Sequence, residues 1–412
     1  MNIGIITTWS ERGASYVSRQ YRMLLSPDHN VFIYARGGES FETDSSGDDK
    51  FVTEGKRSLV PVATAIDHTD FVKWVKANKI DIILFNEQHW WMPLVWCNDL
   101  SVATGAYVDY YTEETIPLFG AYDFLICHTK RHYSAFDWHP KSFYLPWGTN
   151  IDLYSPQTIT PVKNSVITFF HSAGMSPLRK GCDLVVQAFA QLSGPAKLII
   201  HTQTPLHNGF QHLQTLISQL VASGRLTIIE KTVPAPGLYH LGDVYVYPSR
   251  LDGIGLTLAE ALACGLPVIA SDNPPMNEFI DKTNGKLIKI DRLYARADGY
   301  YWPQCHPNLN SLKGCMQYYV DNFHSIAELK NNARQYAVKN LDMMHNKDSI
   351  VNLFSTIKTD ISKLKKKSVN EIISFENNRL GLRQALSAKY PHIYLLLCHV
   401  SEFVKMLSRY KP

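Results

Sequence analysis

Short apolar runs bounded by polar residues recur along the chain, separated by stretches of helical period. The first, Ile3-Gly-Ile-Ile-Thr-Thr8, reads as a buried parallel strand, since such strands carry apolar residues on both faces. A loop from Trp9 to Ser15 follows, then a helical pattern with Val17, Tyr21 and Leu24 on one face. Val31–Ala35, Ile80–Phe85, Gly105–Tyr111, Phe124–Cys127 and Ser142–Leu145 are the next expected strands, with helix-like residues 68–79 among them. Strands alternating with helices predict a doubly wound α/β domain over residues 1–150.

The pattern restarts after Pro146-Trp-Gly-Thr-Asn-Ile-Asp-Leu-Tyr-Ser-Pro156, whose density of turn formers marks a domain boundary. Strands are expected at Val166–Phe170, Lys197–His201, Leu226–Ile229, Val244–Tyr247 and Pro267–Ala270. Helices are expected at Asp183–Leu192 and Leu256–Ala263, and residues 321–364 read as largely helical. This gives a second Rossmann-like domain over 151–360. Two α/β halves predict a cleft between them, a favoured place for a small-molecule site. Residues 361–412 have no place in either sheet and read as a basic helical tail.

Composition agrees with this division. A chain of 412 residues exceeds the ~250–300 that one core supports, and 45% hydrophobic with 19% charged residues excludes a disordered or fibrous chain. The net charge of +4 is unevenly placed: residues 361–412 hold ten Lys/Arg against three Asp/Glu, and the preceding residues 31 against 34. Lys363, Lys365, Lys366 and Lys367 beside the mixed segment Ile393–Met406 predict docking on an anionic membrane surface. The competing expectation is a solvated helix packed back on the globule. Nucleic acid is not an expected partner, because no aromatic-interleaved basic groove accompanies the cluster. Seven cysteines without a C-x-x-C pair argue against a disulfide framework or a zinc site. With no signal-like N-terminus and no apolar run near ~20 residues, the expectation is a cytoplasmic protein, peripheral at the inner face of the plasma membrane through its tail.

The chemistry concentrates in Tyr247-Pro-Ser-Arg-Leu-Asp252-Gly-Ile-Gly-Leu-Thr-Leu-Ala-Glu260-Ala-Leu-Ala-Cys-Gly265-Leu-Pro267-Val-Ile-Ala270. A strand ends near Pro248, and a loop with Asp252, Gly253 and Gly255 enters a helix at Leu256. The glycines permit close backbone approach to a ligand, and the amides of Leu256 and Thr257 at a helix N-terminus favour a phosphate. Glu260 lies where its carboxylate would reach ribose hydroxyls, and Asp252 would face a sugar. The competing reading is a turn whose glycines serve only the chain reversal. A second string, Phe170-His-Ser-Ala-Gly174-Met-Ser-Pro-Leu-Arg179-Lys180-Gly181-Cys-Asp183, follows the first strand of the second half and holds two adjacent cations.

The first string resembles the signature of the family 4 retaining glycosyltransferases, which have the GT-B fold of two Rossmann-like domains facing a cleft. Asp252 and Glu260 take that family's two acidic positions, eight apart. The resemblance implies that Asp252 contacts the donor sugar and Glu260 the nucleotide ribose. Asp252 is one methylene shorter than the usual Glu, and Ile254 stands for the common Phe. In the second string Lys180 matches the diphosphate-binding lysine. Met175 occupies the place of the family arginine, so Arg179 is the expected substitute. Pro146-Trp-Gly-Thr-Asn-Ile-Asp152 resembles the interdomain segment, and Arg12-Gly13-Ala14 the small-residue loop over the donor phosphates. Where many members place a histidine facing the sugar, Val108-Asp109-Tyr110 offers Asp109.

The resemblance implies a retaining hexosyltransferase that takes a UDP- or GDP-sugar as substrate, with no other cofactor and no metal. The acceptor would be a hydroxyl of a glycan or lipid-linked molecule, in bacterial surface polysaccharide, lipopolysaccharide or glycolipid synthesis. Asn86-Glu-Gln-His-Trp-Trp91 is either an aromatic acceptor subsite or a loop with both tryptophans in the core. His128 and His132 read as ordinary surface or interdomain residues, His201 as a structural histidine, and Glu278 as part of a donor loop. The alternatives are a nucleotide-sugar epimerase or sugar phosphorylase on the same scaffold, and a non-catalytic nucleotide-sugar-binding partner.

Overall fold

The computed structural model describes residues 1–42, 50–157, 166–206, 209–357 and 366–389. The N-terminal domain holds strands β1 (Asn2–Thr7), β2 (Asn30–Gly37), β3 (Val52–Arg57), β4 (Ile82–Asn86), β5 (Ala103–Tyr107), β6 (Phe124–Cys127) and β7 (Ser142–Tyr144). They form one parallel sheet in the order β3-β2-β1-β4-β5-β6-β7. Central strands such as β4 are buried throughout, because helices cover both faces. The polar strand β3, Val-Thr-Glu-Gly-Lys-Arg, is an edge strand with exposed positions, which is why its sequence carries no apolar run. Helices α1 (Gly13–Leu25), α2 (His68–Ala77), α3 (Met92–Asp99) and α4 (Lys130–Phe136) belong to this half.

The C-terminal domain repeats the arrangement. Strands β8 (Ile167–Gly174), β9 (Ala196–Thr202), β10 (Leu226–Glu230), β11 (Val244–Tyr247), β12 (Val268–Ser271) and β13 (Gly285–Ile288) order as β10-β9-β8-β11-β12-β13. Strands β14 (Ile290–Tyr294) and β15 (Gln304–Pro307) form a small antiparallel ribbon beside it. Helices α5 (Pro177–Lys180), α6 (Cys182–Ala190), α7 (Gln214–Ala222), α8 (Leu256–Ala263), α9 (Leu309–Asp321) and α10 (Ile326–Asn340) complete it. In both halves the strand order reverses beside the first strand, so each sheet has its switch point where β1 and β4, or β8 and β11, diverge. The two doubly wound domains face one another across a cleft.

The connection between domains is double. Thr149 donates its amide to Leu341 and accepts from that of Met343, so the outgoing and returning segments run side by side. A Cβ on Gly148 would stand 2.5 Å from the Met343 Cα, so this crossing needs glycine. After it the chain goes back to the first half. Phe354 of α11 (Lys347–Thr356) meets Phe124 edge-on at 5.5 Å. Helix α12 (Lys366–Lys389) inserts Ile372, fully buried, into the N-terminal core with Phe71, Trp90 and Trp91. Glu376 accepts the Trp91 amide at 2.9 Å, and Arg379 donates to the His89 carbonyl at 3.0 Å. The described part of the tail thus lies on the protein. Lys363, Lys365 and Ile393–Met406, on which the membrane-docking expectation rests, fall outside the described residues. Among the described residues no helix is long and apolar enough to cross a membrane.

Candidate functional site

Two helices begin at the cleft, one from each domain. α1 starts after Arg12 and α8 after Gly255, and neither N-terminus carries a side-chain cap. Their first amides are therefore left to a ligand or solvent. Gly255 has φ +92, a left-handed conformation that admits glycine and turns the loop sharply into α8. A Cβ on Gly13 would lie 3.3 Å from the Leu256 side chain, so the two helix starts face each other closely. The cavity between them has a volume of about 600 Å³. Its walls include Gly13, Asp109, Arg179, Lys180, Asp252, Gly253, Leu256 and Thr257.

Lys180 and Asp252 form the centre of this wall. Their ion pair is 2.5 Å, with the Tyr247 hydroxyl hydrogen-bonded to both, while Arg179 Nη1 is 3.8 Å from the other Asp252 oxygen. Burial pulls Lys180 down to about 8, only partly offset by the Asp252 charge. Burial also disfavours the Asp252 carboxylate, but the Lys180 and Arg179 charges outweigh it and hold it below the usual carboxylate range. The Gly253 amide donates to Asp252 Oδ1 at 2.9 Å, fixing the side chain against its own loop.

A buried pair beneath the wall aligns the two loops. Arg250 meets Asp183 through two parallel bonds of 2.9 and 2.7 Å, and Arg250 also donates to the Leu178 carbonyl at 2.5 Å. This fork joins the strand-end loop carrying Asp252 to the turn carrying Lys180. Both residues stood in the two sequence strings, but 67 positions separate them, and nothing local marks them as partners.

The remaining predicted residues take distinct places. Asp109 lies just beyond β5, partly buried in the cavity wall. Burial and then the neighbouring Glu87 charge push its carboxyl well above the ordinary range. Glu260 is in the second turn of α8, where burial raises its carboxyl; Tyr239 donates to it at 2.5 Å. Trp90 and Trp91 are buried in the N-terminal core, so the packed-loop alternative holds for both. Glu278, expected in a donor loop, spends its carboxylate on the amides of Lys130 and Arg131, at 2.7 and 3.1 Å, where α4 begins. Among the described residues no cluster of three or more His, Cys, Asp or Glu is placed to hold a metal ion.

His132, expected as a surface or interdomain residue, is interdomain. It is fully buried at the domain junction, donating from Nε2 to the Gly253 carbonyl at 3.0 Å and accepting the Tyr111 hydroxyl at Nδ1, 2.9 Å away. Trp302 Nε1 donates to that same hydroxyl at 2.5 Å, which completes a relay from the 302 loop to the Asp252 loop. Burial, then the Arg131 charge, lowers His132 to about 3, so the ring stays neutral. No sequence signal separated it from His128, which is also buried.

Residues 166–298 match the family described as glycosyl transferases group 1. The chain is 29% identical over 129 residues to the lipopolysaccharide core biosynthesis mannosyltransferase LpsB of Rhizobium meliloti, covering 29% of this chain and 36% of that protein. It spans 35–40% of the length of the first three curated relatives it matches. Among solved structures it is similar to sucrose-phosphate synthase from Thermosynechococcus elongatus, with a TM-score of 0.66 at 16% identity over 87% of this chain and 99% of the other. Anabaena HepE in complex with UDP and glucose gives 0.67 at 16% identity over 87% and 100%. These likenesses establish the fold, which is GT-B.

Proposed function

From the match of residues 166–298 to the family described as glycosyl transferases group 1, we propose that the chain is a retaining, nucleotide-sugar-dependent glycosyltransferase. The observation that carries this reading is the convergence of Lys180, Asp252 and the open N-termini of α1 and α8 on one cleft. In this reading the donor diphosphate sits at the α8 amides, with Lys180 and Arg179 taking its charge. Asp252 turns from Lys180 towards the hydroxyls of the donor sugar, and Glu260 serves the ribose. Asp109, opposite, faces the sugar from the N-terminal domain. HepE, whose structure holds UDP and glucose, supports a UDP-sugar as donor, while the mannosyltransferase relatives keep GDP-mannose in contention.

The proposed reaction breaks the bond from the anomeric carbon to the β-phosphate oxygen and forms one to the acceptor oxygen on the same face. The acceptor's proton passes to the leaving phosphate oxygen, giving a glycoside and a nucleoside diphosphate. No protein base is then required at the attacking oxygen. Relatives in lipopolysaccharide core and phosphatidylinositol mannoside synthesis support a glycan or lipid-linked acceptor, with the protein working beside a membrane.

A panel of UDP- and GDP-sugars, followed by NMR of the products, tests the proposal. Release of nucleoside diphosphate with an axial or equatorial linkage matching the donor's is the expected result. An epimerised donor, phosphorolysis, or tight donor binding without turnover would each replace this reading by one of its alternatives.

A further inference from the structure

A second cavity of about 580 Å³ lies on the N-terminal domain beside the donor cleft, between the ends of β2 and β4 and the loop after β3. Arg12 and Glu87 line both cavities, and their 3.1 Å ion pair stands between them. Resting on the transferase reading, we infer that this cavity is the acceptor pocket and that it takes a sugar bearing one anionic group.

The pocket is a built site. Two of its wall residues, Thr64 and Glu87, have left-handed backbones at φ 63 and φ 51, a conformation disfavoured outside glycine. Thr64 is held there: its hydroxyl accepts the His89 and Trp90 amides at 2.8 and 3.1 Å, and its carbonyl accepts Gln88 Nε2 at 3.0 Å. Helix α12 secures the same loop through Arg379 on the His89 carbonyl. Strain kept by this many bonds, next to a cavity, fits a surface shaped for a ligand.

The charges in its wall leave a positive remainder. Arg36 is buried and spent on Glu39, at 2.7 and 3.2 Å, and on the Asn86 carbonyl at 2.8 Å. Arg12 is matched by Glu87. Burial, then the Arg36 charge, lowers His89 to about 4, so its ring is neutral at pH 7. Arg57 is exposed on the cavity wall and has no acidic partner among the described residues. Its planar fork suits a carboxylate or a phosphate equally. A sugar seated on Arg57 would direct a hydroxyl past the Arg12–Glu87 pair towards Asp252.

The test titrates UDP-saturated protein with glucose, glucuronate and glucose 6-phosphate, comparing wild type with Arg57→Gln and Arg57→Lys. Wild type should bind one of the two anions at least about tenfold more tightly than glucose, and added salt should narrow the gap. The favoured anion identifies carboxylate or phosphate as the group recognised. Arg57→Gln should erase the preference and Arg57→Lys keep part of it, with unfolding temperature unchanged because the side chain is exposed. Equal binding of all three sugars, or a preference that survives Arg57→Gln, would overturn the inference. Failure to bind UDP at all would instead strike the donor reading, and the sugar comparison would then be made without it.

Discussion

Lys180 and Asp252, 72 positions apart, meet at 2.5 Å on the wall of the interdomain cleft. One arrives on the turn after β8 and the other on the loop after β11, the two strands that diverge at the switch point of the second sheet. Their pairing keeps two buried charges satisfied before a donor arrives, and it gives the site its pH response.

Lys180 ionises near pH 8 rather than in the usual lysine range, because burial opposes its charge. A diphosphate binds the charged form and raises that value. Affinity for a nucleoside diphosphate should therefore be flat below about pH 8 and weaken above it, by at most about tenfold per pH unit. Calorimetric titrations from pH 7 to 9.5 would reveal this limb, and Lys180→Arg should remove it.

The Arg250–Asp183 fork is buried on both sides, with side-chain exposures of 9% and 11%. Asp183→Asn or Arg250→Met leaves the other member with an uncompensated charge or broken bonds. The expected loss is about 3–5 kcal/mol, read as a lower denaturant midpoint. Donor binding should weaken as well, since the fork holds the two loops in register.

His132→Phe keeps an aromatic ring but leaves the Gly253 carbonyl without this donor and the Tyr111 hydroxyl without this acceptor. A loss of about 1–3 kcal/mol in stability is expected. Because the ring titrates only near pH 3, the wild-type to variant ratio of turnover should stay constant between pH 5.5 and 8. A ratio that changes in that range would show the ring acting as an acid or base.

Helix α12 should act as part of the N-terminal domain. Ile372→Ala removes a fully buried side chain from the core beside Trp90 and Trp91 and should cost about 2–5 kcal/mol. Thermal unfolding would record the drop. An unchanged midpoint would mean that α12 leaves the globule in solution.

The alternation of apolar runs and helical periods made both sheets legible, because strands covered on two faces must be apolar along their length. It could not reveal β3, whose edge position tolerates Thr, Glu and Lys, the short edge strand β13, or the ribbon, whose strand β14 is mostly exposed. The cleft residues were legible where they sit in one continuous string, as from Tyr247 to Ala270. The contacts His132–Gly253 and Glu376–Trp91 join residues 121 and 285 positions apart, and only the folded chain brings them together. The tail's charge suggested a membrane, yet the apolar Ile372 on the same helix determined where its described part lies.

The account stands most directly on the affinity of the cleft for a nucleoside diphosphate. Calorimetric titration of UDP and GDP into wild type and Lys180→Ala at pH 7 should show one of them binding to wild type. In Lys180→Ala the dissociation constant should rise at least about tenfold, as expected for losing a charge-assisted contact, with the fold intact by circular dichroism. Equal affinity in the two proteins, or no binding of either nucleotide to wild type, would contradict it.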